Sequence, residues 1–87
     1  MSPLRDLREK YGKSNLRQAV NAAIRAELPG GNDVLDLLEL THHAADRLGW
    51  EDADGQPSLL RVIHERLARA ANAMEQEIRR RYGMPPL

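Results

Sequence analysis

The chain has 87 residues, 13 basic and 13 acidic side chains, zero formal net charge and no cysteine. That length makes one domain, residues 1–87, with a single modest core. The missing cysteines exclude a disulfide framework, a zinc–thiolate site and a thiol nucleophile. No run is apolar enough for a bilayer, and the stretch Met1 to Asp6 lacks the apolar segment of a signal peptide. The expectation is a cytoplasmic protein with no membrane partner. Arg preferred over Lys, together with many alanines, points to a bacterial or phage origin.

Leu and Ala dominate the apolar residues, the aromatics are Tyr11, Trp50 and Tyr82, and β-branched residues are sparse. This is helix composition. Caps and breakers predict an all-α fold, a small bundle of about four helices with a short first helix and a long C-terminal one.

Ser2 can cap the first helix, with Pro3 at its first position, Leu4, Leu7 and Tyr11 on one face, and Gly12 as its stop. Asn15, with Gln18 three residues on, opens a second helix that runs to about Leu28, where Pro29-Gly30-Gly31 breaks it. Leu16, Val20 and Ile24 lie on one side of it, beside a flat patch of Ala19, Ala22, Ala23 and Ala26 that permits close approach.

Asn32 or Asp33 caps the third helix, which ends at Gly49 with Trp50 folding back as in a Schellman stop. On a helical wheel Leu40, Ala44, Leu37, Leu48, Val34, Ala45 and Leu38 cover roughly 160°, extended by Leu35. That is wide for one neighbour. Either the third helix is central to a compact bundle, or a homodimer covers these faces.

After the polar loop Glu51 to Pro57, the last helix runs from Ser58 to Tyr82, with Gly83 as its stop and residues 84–87 as a flexible tail. Leu60, Ile63, Leu67, Ala70, Met74 and Ile78 form its stripe, and the next position on that line is Arg81. The C-terminal turn is therefore expected to overhang.

Charge is sorted along these elements. Residues 1–31 carry six bases against three acids, residues 32–57 one base against seven acids, and residues 58–87 six bases against three acids. Such blocks let neighbouring helices attract one another and leave faces of one sign for a partner. Two such faces are the acidic loop, Trp50, Glu51, Asp52 and Asp54, and the basic tip, Arg79, Arg80 and Arg81. Glu75 and Glu77 lie four residues before Arg79 and Arg81, leaving Arg80 without an acidic partner at that spacing.

A second candidate surface is the polar face of the second helix. Arg17, Gln18, Asn21 and Arg25, with Lys10 and Lys13 nearby, have the side chains that reach phosphates and base edges. A helix-turn-helix reading fails, because Arg8, Lys13, Gln18 and Asn21 stand where small or apolar docking residues are needed.

Histidines offer the remaining chemistry. Glu39 and His42 have a Glu-x-x-His spacing, but no second copy exists. His64-Glu65 has Ala68 where a zinc protease needs its second His. A site from His42, Asp46 and His64 requires the third and fourth helices to pair antiparallel in register. The loop after Trp50 is not an EF-hand, since Trp50 and Arg61 occupy its first and twelfth ligand positions.

No catalytic, metal or cofactor site is expected. The sequence points to a non-enzymatic helical protein–protein interaction module, a regulator, inhibitor or adaptor that binds another protein or itself, with nucleic-acid binding as the alternative and a metal-binding bundle third.

Overall fold

The computed structural model describes residues 3–85. It contains four helices: α1 (Pro3–Tyr11), α2 (Leu16–Glu27), α3 (Gly31–Leu48) and α4 (Leu59–Arg81). The all-α expectation holds, down to the short first and long last helix. The Ser2 cap lies outside the described residues.

Caps fix most boundaries. The Asn15 side chain accepts from the Gln18 N–H, and Ser58 Oγ accepts from the Arg61 N–H at 3.2 Å while donating to the Gly49 carbonyl at 3.0 Å. Ser58 therefore ties the start of α4 to the end of α3. Gly49 stops α3 at φ 113°, outside the left-handed helical well of a Schellman stop, and its N–H closes on the Ala45 carbonyl. Trp50 does fold back, its Nε1 donating to Asp46 Oδ1 at 2.8 Å.

The start of α3 differs from expectation. Neither Asn32 nor Asp33 caps it; the helix begins at Gly31 after Gly30 at φ 76°. The reason is crowding. A Cβ on Gly31 would stand 2.1 Å from the Ile24 carbonyl oxygen, so only glycine lets α3 leave α2 so abruptly.

α3 and α4 form the main helical hairpin, and α1 and α2 pack on one end of it. The chain is a rod with extents of 53 × 21 × 21 Å. Leu7, Ala19, Val20, Ala23, Ile24, Ile78 and Met84 make the core, with Leu4, Tyr11, Leu16, Leu28, Leu35, Met74 and Tyr82 packed around it. Ala19 and Ala23, half of the alanine patch, are fully buried.

This core overturns the expected overhang. The C-terminal part of α4 is covered, with Ile78 fully buried and the Tyr82 hydroxyl bonded to Glu27 at 2.7 Å. The loop end of the hairpin stands free instead. Tail and centre change accordingly. Met84 is buried and the Pro85 carbonyl accepts from Arg79, so the segment expected as a tail from residue 84 is held there; residues 86 and 87 lie outside the described residues. α3 is not central, because α1 and α2 cover only one end of the hairpin and Leu37, Leu40 and Leu48 of its apolar arc are left exposed.

Candidate interaction surface

The acidic loop and the basic tip lie at opposite ends of α4, whose 23 residues span about 34 Å. They are separate features. At the tip, Arg79 binds Glu75 at 3.0 Å and the Pro85 carbonyl at 3.2 Å, and Arg81 binds Glu77 at 3.0 Å. Arg80 also has an acidic partner, Glu77 three residues earlier, with its Nε donating at 2.9 Å. These hydrogen bonds from Arg80 and Arg81 pull the Glu77 carboxyl down to about 2. The tip's charge is largely matched within the helix.

In the loop, Asp52 Oδ1 accepts from the Asp54 and Gln56 N–H groups at 2.9 Å, and the Glu51–Pro57 bridge closes the turn. Trp50 packs edge-on against His42 and His64, with ring centroids 5.4 and 5.1 Å away. Asp46 binds His42 Nε2 at 3.3 Å. His42, Asp46 and His64 thus gather around Trp50, confirming an antiparallel α3–α4 register. Among the described residues, no group of three or more His, Asp or Glu is arranged to hold a metal ion. His64 Nε2 is buried and finds no hydrogen-bond partner among the described residues.

Two arginines of the α2 polar face carry internal acidic partners, although Arg17 stays largely exposed. Arg17 pairs with the buried Glu75, and Arg25 binds Asp36 at 2.8 Å and Asn32 at 3.1 Å. Arg17, Arg25 and Glu75 line a cleft of about 430 Å³ between α2, α3 and α4, which also takes in Asn21, His42 and His64. Lys10 lies 3.6 Å from Glu27. Lys13 and Gln18 remain on the exposed side.

Glu27, not singled out in the sequence, is the hub of the α1–α2–α4 end. It accepts hydrogen bonds from the Tyr11 and Tyr82 hydroxyls and lies 3.6 Å from both Lys10 and Arg81. Burial pushes its carboxyl up, but the bonds from Tyr11 and Tyr82 and the Lys10 charge hold it below the ordinary value. Burial, with the bond to Glu27, raises the Tyr11 hydroxyl, and the Tyr82 hydroxyl and Glu27 raise Lys10.

What stays open is apolar. Leu48 is 79% exposed, Leu59 74%, Leu40 63%, Leu37 46% and Ile63 38%. Leu37, Leu40 and Leu48 occupy one side of the wide α3 arc, whose other side carries the buried Thr41 and Ala45. Leu59 and Ile63, four residues apart, continue the patch on α4. Exposed charges border it. Among the described residues Asp33, Arg47, Arg66 and Arg69 have no ion-pair partner.

No family model, curated protein or solved structure matches the chain.

Proposed function

We propose that the chain is a non-enzymatic helical interaction module, a regulator, inhibitor or adaptor whose working surface is the uncovered α3–α4 stripe. The observation that carries this is the clustering of Leu37, Leu40, Leu48, Leu59 and Ile63, 38–79% exposed, on one end of the rod. Singly exposed leucines need no explanation, but a contiguous apolar patch with a charged border marks a protein-binding surface. Fully burying one such side chain is worth about 1.5–3 kcal/mol, so five supply a useful gross driving force even after association costs.

The partner suited to this patch is another amphipathic helical face of matching border charge. The acidic loop adjoins the patch and orients that partner, whereas the basic tip, at the far end and internally paired, contributes less. Nucleic acid suits the surface poorly, because leucines offer nothing to phosphates and Arg17 and Arg25 are engaged by Glu75 and Asp36.

The test is a photo-activated cross-linking side chain placed at Leu40 or Ile63, compared with Gln18, Asp54 and Arg80. Protein adducts from positions 40 and 63 are expected. Adducts confined to position 18 and carrying nucleic acid would overturn the proposal.

A further inference from the structure

We infer that the occupant of the α3–α4 stripe is a second copy of this chain, docked about a two-fold axis parallel to the helices so that α3 of each copy lies over α4 of the other. This rests on the interaction-module reading and adds the partner.

The apolar patch has a direction. Exposure is greatest at the loop end, in Leu48 and Leu59, and falls to 46% at Leu37 and 38% at Ile63. Farther from the loop the stripe runs out at Asp33 on α3 and at Ala73 on α4. An axis along the helices brings loop end to loop end, so that Leu48 of each copy meets Leu59 of the other. An axis across the helices through the middle of the patch would set Leu48 against Leu37, its less exposed end.

Charge selects the same arrangement. The contact of His42 with His64, centroids 5.5 Å apart, fixes the level of the two helices, so Leu40 lies level with about Arg66 and Asp36 with about Ala70. Asp33 and Asp36 stand seven and four residues before Leu40, on its border. Arg66 stands three residues after Ile63 and seven after Leu59, with Arg69 one turn on. With α3 over α4, Asp33 of each copy, which has no ion-pair partner among the described residues, reaches toward Arg69 and Arg66 of the other, guanidiniums equally without one, while Asp36 beside it stays bound to Arg25 of its own chain. With like helices paired across an axis at that level, Arg66 would face Arg66. A C2 contact of this kind is self-complementary and closes, giving a dimer rather than a filament.

The same arrangement places the acidic loops of both copies at one end. Arg47, a base at the loop end of α3, then stands near Glu51, Asp52 and Asp54 of the second copy and offsets their mutual repulsion.

The test combines oligomeric state with charge swaps, read by sedimentation of the purified full chain. The wild type should form a dimer with a dissociation constant of about 1–100 µM. Arg66→Glu with Arg69→Glu should weaken it at least about tenfold, Asp33→Lys, which leaves the internal Arg25–Asp36 pair intact, should also weaken it, and mixing the two variants should restore it. Circular dichroism checks that each variant keeps its helices. A dimer indifferent to both swaps overturns the arrangement.

An independent measurement uses the cysteine-free background. A spin label on Ala53→Cys should give an inter-copy distance well under half the 53 Å length of the chain; a distance of that half-length or more overturns the parallel axis. A wild type that stays monomeric overturns self-association. If position 40 then still cross-links to a different protein, the interaction-module reading survives without a second copy; without such an adduct both fall.

Discussion

Replacing Glu27 should unfasten one end of the rod. The carboxylate joins all three helices there, accepting from Tyr11 of α1 and from Tyr82 beyond α4 while itself ending α2. A hydrogen bond to a charged group contributes about 1.5–3 kcal/mol, and the Glu27 side chain is only 18% exposed, so little of this is lost to solvent screening. Lys10 and Arg81, each 3.6 Å away but 55% and 40% exposed, add about 0–1 kcal/mol apiece. Two freed tyrosine hydroxyls can turn partly to water, which limits the cost. Glu27→Ala should therefore lose about 3 kcal/mol, a large share of the roughly 4–13 kcal/mol expected for such a domain.

Urea titration followed by circular dichroism measures that loss, and Tm should fall by about 12–24 °C. Glu27→Gln, which keeps an acceptor but not the charge, should lose less. The sign with pH follows from the depressed carboxyl: its contribution is present above the ordinary value of 4.5 and disappears as pH falls through the lower folded value. The gap between wild type and Glu27→Gln should accordingly close at acid pH. The raised Tyr11 hydroxyl gives the opposite limb, stability that is intact below its ordinary 10.0 and is lost as pH rises beyond it. A Glu27→Ala cost under about 1 kcal/mol, or a gap to Glu27→Gln that ignores pH, would refute the hub.

Gly31→Ala should be more damaging than its size suggests. The added Cβ meets the Ile24 carbonyl oxygen at 2.1 Å and its carbon at 2.8 Å, so the α2–α3 connection must shift, and a loss of about 3 kcal/mol or more in urea is expected. Ser58→Ala removes the α4 cap and the bond to the Gly49 carbonyl; about 1 kcal/mol should be lost, with faster amide exchange in the first turn of α4.

Local signals made the helices legible. Asn15, Ser58 and Gly49 each act through neighbours within a few residues, and those boundaries follow directly. The width of the α3 arc was also readable from spacing. Which half of it stays open was not, because that depends on where α1 and α2 dock. The same long-range choice reversed the overhang: Arg81 on the stripe line suggested a bare end, while Tyr82, four residues after Ile78, carries the contact to Glu27.

Pairing across helices was equally hidden. Arg17 and Glu75 are 58 residues apart, and nothing local to either reveals that the buried acid pairs with Arg17. Gly31 read as part of a helix break because its requirement comes from Ile24 across the turn. The candidate surface emerged only when the exposed leucines could be separated from those used in the core.

The most direct measurement of the central claim is sedimentation of wild type against Leu40→Glu with Leu59→Glu. These side chains are 63% and 74% exposed, so at protein concentrations well below the dimer dissociation constant the substitutions should leave the urea midpoint nearly unchanged. A wild-type dimer reduced to a monomer of unaltered stability is the result the account predicts. A wild type that is monomeric throughout, or a variant that dimerises as well as wild type, would contradict it.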